Sequence, residues 1–145
     1  MQFDTATCYY IIRKMIFDNK KLDELSDCAK ANPRLRQSLD LRTSPDDNSQ
    51  RMLNALEPGT IMPIHRHRNS SETMVIVRGA LEEYLYDESG NLTDTIYMTP
   101  NGEHSIIQLE KGQWHSLKCL KSGTIIFEAK DGAYSPLTPE DVISI

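Results

Sequence analysis

The sequence has no apolar run approaching the roughly 20 residues that a membrane-spanning helix requires. It also lacks an excess of positive charge. Sixteen Lys and Arg stand against 21 Asp and Glu, a formal net charge of −5, which argues against nucleic acid as a partner. Arg51, Arg66, Arg68 and Arg78 are locally basic but do not form one run. The first residues lack a cationic region followed by an apolar one, so no secretory signal is expected. Cysteines are few and odd in number: Cys8, Cys28 and Cys119, with no CxxC pair. That argues against a disulfide framework and fits a reducing cytoplasm. No internal repeat or low-complexity segment stands out. What remains is a 145-residue chain with 39% hydrophobic and 26% charged residues, a soluble globular composition of single-domain length.

Histidine is scarce as well, four in all, yet its placement is the most informative feature. The stretch from Gly59 to Gly79, GTIMPIHRHRNSSETMVIVRG, carries His65 and His67 two apart, then Glu72. A later segment, GQWHSLKC from Gly112 to Cys119, supplies His115. In a strand, residues i and i+2 point to one face, so His65 and His67 face together and Arg66 faces away. A helix would not bring such a pair together. Arg68 to Ser71 is rich in turn formers. Glu72 then opens a segment of strand formers in which Glu72, Met74 and Ile76 share a face. The expectation is a small β-barrel that holds one divalent transition metal ion (Zn, Fe, Ni or Mn) between His65, His67, Glu72 and His115. For any one histidine the plainer alternative is a satisfied core or surface residue; the combination favours a metal. His104, beside the Asn101-Gly102 turn, is expected to be a solvated loop residue.

Tyr9 to Phe17 is apolar and β-branched, a strand or a short helix. Leu22, Leu25, Cys28 and Ala29 then recur at spacings of three and four. With Asp18 and Asn19 as caps and Pro33 as a stop, the pattern predicts a helix over 19–31, packed on one end of the barrel. Thr43 to Ser49 reads as a loop. From Gln50 onward the chain reads as β. Strands are expected at Gln50–Leu56, Ile61–His67, Thr73–Val77, Ala80–Asp87, Thr93–Met98, Ser105–Leu109, Trp114–Leu120 and Thr124–Lys130, separated by Gly-, Pro-, Asn- and Asp-rich turns. The tail from Ser135, with Pro136 and Pro139, reads as irregular.

These residues carry a resemblance. Gly59, five residues, His65-x-His67, four residues, Glu72, six residues, Gly79 matches the first cupin motif at every fixed position. Gly112, two residues, His115 meets part of the second. Cys119 stands where that motif often has Asn, and Glu110 where it has Pro. A narrower likeness runs over about 30–135. Asn32-Pro-Arg-Leu-Arg36, Gln50-Arg-Met-Leu-Asn54, Pro63-x-His65-Arg-His67, Gly112-x-Trp-His115 and Glu128-x-Lys-x-Gly-x-Tyr134 look like the WbuC-type cupins. The resemblance implies a mainly β fold: a double-stranded β-helix, or jelly-roll barrel, with a short N-terminal helical segment. The expected organisation is an extension at 1–35 packed on the barrel, a cupin barrel at 36–135 and a tail at 136–145. The likeness further implies a homodimer and a setting in bacterial surface-polysaccharide (O-antigen type) biosynthesis, but no reaction. The expected ligand is a small molecule, a sugar or sugar-nucleotide, bound or isomerised at the metal. An iron-dependent dioxygenase and a non-enzymic binding cupin are the alternatives.

Around the metal the candidates are open in both directions. Glu128 and Lys130 share a strand face. Inward they would orient a substrate or transfer a proton; outward they would be a solvated pair. Arg51 would grip a phosphate or carboxylate, or form a surface ion pair. Cys119, four after His115, would line the pocket or pack as a small buried residue. Tyr134 would close over the mouth or simply pack.

Overall fold

A computed structural model describes residues 16–143. Helix α1 (Asn19–Ala31) is followed by ten strands: β1 (Arg36–Asp40), β2 (Ser49–Leu56), β3 (Ile64–His65), β4 (Glu72–Arg78), β5 (Leu81–Tyr86), β6 (Leu92–Met98), β7 (Ile106–Leu109), β8 (Trp114–Cys119), β9 (Thr124–Asp131) and β10 (Val142–Ile143). They form two five-stranded antiparallel sheets, in the orders β1-β2-β9-β4-β7 and β10-β3-β8-β5-β6. The expected mainly β fold with a short N-terminal helix is what is found. No helix among the described residues is long and apolar enough to cross a membrane.

Helix α1 begins where the Asp18 side chain accepts a hydrogen bond from the Lys21 N–H, 3.0 Å. It stops at Asn32, before Pro33. Its stripe of Leu22, Leu25 and Ala29 does not cover a barrel end, as the periodicity alone suggested. It lies on the outer face of the first sheet, against Leu39, Leu53, Ala55 and Ile125. These are the outward positions of their strands, and the alternation gives them a second apolar face to cover. The inward positions build a separate core between the sheets: Leu56, Met74, Ile76, Leu81, Met98, Leu117, Cys119 and Ile126.

Two expected elements differ. The Ile61–His67 strand shrinks to Ile64–His65. Pro63 has no N–H for a ladder, and Ile61 is 84% exposed rather than paired. The tail is not wholly irregular: Pro139–Asp141 forms a 3₁₀ turn, and Val142 pairs with His65 at the edge of the second sheet. Most of Tyr9–Phe17 lies outside the described residues.

Two glycines hold left-handed turns that position the strands. Gly79 has φ +81°, and a Cβ there would stand 2.2 Å from Thr124 Oγ1. Gly112, with φ +80°, turns the chain before β8, and its N–H donates to the His67 carbonyl, 2.8 Å. That bond ties the two histidine-bearing segments together.

Candidate metal centre

His65 and His115 are directly opposite on β3 and β8. Their ring centroids are 4.3 Å apart, and His67, just past the end of β3, places its ring 5.1 Å from His65 and 5.8 Å from His115. One nitrogen from each ring lies within 4.8 Å of the others, so the three could hold a metal ion. Glu72, at the start of β4, crosses from the other sheet. Its Oε2 is 3.4 Å from His115 Nε2 and 3.6 Å from His67 Nε2. Four residues spread over 51 positions of sequence thus meet at one end of the barrel.

The hydrogen bonding suits a metal. His65 Nδ1 lies 2.9 Å from the Pro63 carbonyl and His115 Nδ1 lies 2.9 Å from the Gln113 carbonyl. Each carbonyl can accept the Nδ1 proton, which leaves Nε2 as a lone-pair donor. His67 Nε2 and Glu72 Oε2 are buried with no hydrogen-bond partner among the described residues. Orphaned buried polar atoms are costly, and a cation between them would satisfy both. Burial, with charge repulsion from His115 for His65 and from Lys130 for His67, lowers both imidazoles to about 4. Burial pulls the Glu72 carboxyl up, but His115 and Lys130 hold it below its ordinary value. Neutral imidazoles and an ionised carboxylate are the protonation states that ligands need.

The centre opens into a cavity of about 660 Å³. Glu128 and Lys130 face into it from β9, Nζ and Oε2 3.9 Å apart. Asn54 Nδ2 donates to Glu128 Oε2, 2.9 Å. Burial and the Glu72 charge push the Glu128 carboxyl well above its ordinary value. Tyr134 is at the rim, 57% exposed, with the Arg42 guanidinium 5.4 Å over its ring.

Two candidate pocket residues take their other alternative and lie elsewhere. Arg51 alternates with Gln50 and Met52 and therefore points away from the cavity. It pairs with Asp47 at 3.0 Å and donates to the Ser49 and Leu41 carbonyls. Cys119 shares the inward face of β8 with His115, but two positions beyond Leu117 it has already entered the apolar core. Its Sγ contacts the Leu56 carbonyl, and burial pushes the thiol up. Arg66 turns away from the metal as expected and stacks 4.5 Å over Trp114, at the edge of the cavity. His104 is an exposed loop residue.

One residue was missed. Glu83 on β5 is 1% exposed, lines the cavity, and its Oε2 has no hydrogen-bond partner among the described residues. Burial first, then the Glu72 and Glu128 charges, raises its carboxyl well above the ordinary value. The signal was present: Leu81, Glu83 and Leu85 share a strand face, and that face is inward.

Two facing antiparallel sheets with a His-x-His pair, a Glu and a distal His at one end define a cupin fold. The comparisons agree on the fold. KdgF from Halomonas sp. superposes with a TM-score of 0.57 at 16% identity, over 71% of this chain and 84% of that one. The capsular polysaccharide assembling protein CapF from Staphylococcus aureus gives 0.60 at 18% identity, over 77% of this chain. Bacillus subtilis oxalate decarboxylase gives 0.54 at 22%, over 70% of this chain. The chain spans 32% of CapF and 26% of the decarboxylase. No curated protein sequence matches it. By sequence, residues 17–98 match the model of the domain of unknown function DUF6016, and the chain belongs to that family. The matched segment includes His65, His67 and Glu72 and ends before His115.

Proposed function

We propose that this cupin, of the WbuC type, binds one divalent transition metal ion through His65, His67, Glu72 and His115. We further propose that it uses the ion to bind or act on a sugar or sugar-nucleotide in the assembly of a bacterial surface polysaccharide. The observation that carries the reading is the orphaned pair His67 Nε2 and Glu72 Oε2, beside two imidazoles whose Nδ1 atoms face backbone carbonyls. The carbohydrate part is supported by the WbuC-like motifs and by a fold shared with a capsular polysaccharide assembling protein.

Bound there, the metal supplies Lewis acidity toward a carbonyl or vicinal hydroxyls. The protein's own groups do the rest. Glu128 is the candidate to hold or move a proton at its carboxyl, since its raised value suits a group that exchanges protons near neutrality. Lys130 orients Glu128 and adds positive charge to the cavity wall. Tyr134 covers the mouth. The protein works in this reading as a cytoplasmic homodimer.

Elemental analysis of wild type beside His65→Ala, His67→Ala is the test. About one equivalent of metal in wild type, absent from the variant, supports the site. Calorimetric titration of the metal-loaded protein with UDP-sugars then checks the ligand class. No metal after reconstitution sinks the reading, and iron with O₂ consumption replaces it with a dioxygenase.

A further inference from the structure

The arginines that line the cavity fall into two groups. Arg66 pairs with Asp141 at 3.1 Å and Glu88 at 3.4 Å, and Arg68 pairs with Asp141 and Glu140. Arg34 and Arg36 are the other group. Among the described residues Arg42, Arg51, Arg66, Arg68 and Arg78 each have a carboxylate within 4.0 Å, and neither Arg34 nor Arg36 has one. The chain as a whole carries a net charge of −5, so acidic partners are not in short supply. Two adjacent guanidinium groups left without a counter-charge repel each other. Burial first, then the Arg34 charge, lowers the Arg36 guanidinium from its ordinary value.

The backbone holds this arrangement in place. Leu35, between the two arginines, has φ +55°, a left-handed conformation that a β-branched or bulky side chain adopts only when its surroundings impose it. The imposing bonds are identifiable. The Leu35 N–H donates to the Asn32 carbonyl at 2.8 Å, Thr60 Oγ1 donates to the Arg34 carbonyl at 2.8 Å, and the Glu57 N–H donates to the Leu35 carbonyl at 2.9 Å. Arg36 Nη1 is further anchored on the Ile61 carbonyl, 3.1 Å. A strained turn, fixed at three points, thus sets two unneutralised guanidinium groups on the wall of the cavity that contains the histidines.

We infer that Arg34 and Arg36 are an anion clamp, and that the ligand of this cavity carries a phosphoryl or carboxylate group that docks there while its other end reaches the metal centre. Planar guanidinium forks match the two-oxygen edge of either group, and such charge-assisted bonds are stronger than neutral ones. The inference rests on the proposed reading of the cavity as the ligand site, and it narrows the ligand to an anionic one. The role that the sequence offered to Arg51 falls to this pair instead.

The experiment is calorimetric titration at low salt with two probes, inorganic pyrophosphate and malonate. It is run on metal-loaded wild type, on Arg34→Gln, on Arg34→Gln with Arg36→Gln, and on His65→Ala with His67→Ala, which removes anion binding through the metal. The clamp predicts that at least one probe binds wild type and the histidine variant alike. It predicts that affinity falls by about tenfold or more in the double arginine variant and declines with added salt. The tighter probe names the group, phosphoryl or carboxylate. Arg34 is exposed, so Arg34→Gln keeps the fold and guards against a collapse caused by Arg36→Gln. Equal affinity in wild type and the arginine variants, or no binding of either probe to wild type, overturns the clamp. Anion binding that needs Arg34 in a protein that never takes up metal leaves the clamp standing and removes the metal reading instead.

Discussion

The two ends of the barrel interior are made by the same strands and have opposite characters. Along β8 the inward face runs His115, Leu117, Cys119, and along β4 it runs Glu72, Met74, Ile76. On β9, which runs the other way, it reads Ile126, Glu128, Lys130. One end is a closed aliphatic core in which Leu81 and Met98 are fully buried. The other gathers three imidazoles, Glu72, Glu128 and Lys130 around an open cavity. Glu83 lies between them, level with Leu117 in the β5–β8 register. The difference separates two tasks. The aliphatic end supplies burial and stability, whereas the polar end keeps groups that cost stability unless something binds them.

If that division is real, substitutions at the two ends should have opposite signatures. His65→Ala with His67→Ala should abolish stoichiometric metal binding, while the metal-free variant melts no lower than metal-free wild type. Elemental analysis and thermal melts read the two effects separately. Leu81→Ala should do the reverse. It deletes a side chain with no exposure and should cost about 2–5 kcal/mol in urea unfolding. Metal stoichiometry should hold, because Leu81 lies opposite Cys119, four positions along β8 from His115. A Leu81→Ala protein that folds stably but takes up no metal would break the comparison.

The division was partly legible in the sequence. The i, i+2 histidines and Glu72 placed one end, and the helix of 19–31 was readable from its caps and its spacing of three and four. Period-2 alternation, applied consistently, held the rest. It turns Arg51 outward with Leu53 and Ala55, and Glu83 inward with Leu81. What alternation cannot give is depth along the strand. Cys119 has the same inward phase as His115 but is two steps deeper, in the aliphatic core. Nor does local pattern reveal the β10 pairing with His65 or the Leu35 turn, which depend on partners 77 and 22 residues away respectively.

The polar end should also sharpen the comparison through pH. His65 and His67 drop from an ordinary 6.5 to about 4 in the folded protein. Above 6.5 both states hold neutral imidazoles and nothing is lost. As pH falls from 6.5 toward 4, the unfolded chain takes up protons that the folded one refuses, and metal-free wild type loses stability. The raised carboxyls of Glu83 and Glu128 act in the opposite sense: their contribution is present at low pH and declines as pH rises. Subtracting the profile of the His65→Ala, His67→Ala variant, which retains both carboxyls, leaves the imidazoles and the part of the Glu72 depression that His67 causes, and both act in the same sense. The difference should fall monotonically from pH 6.5 to 4, and a flat difference would contradict the lowered values.

Glu83 offers the smaller test, at the boundary itself. Its carboxyl is desolvated, faces Glu72 and Glu128, and leaves Oε2 unpartnered. Glu83→Leu replaces it with a side chain of similar size that suits the neighbouring Leu117. The metal-free protein should gain about 1–3 kcal/mol at neutral pH, since an unsatisfied buried polar group is removed. Glu83→Gln, which keeps a polar group there but cannot ionise, should gain less. Metal stoichiometry should survive both changes, because His65, His67, His115 and Glu72 are untouched. A loss of stability in both variants would mean that Glu83 has a partner that holds the barrel together, and the boundary between the two ends would then have to be drawn deeper, below Leu117.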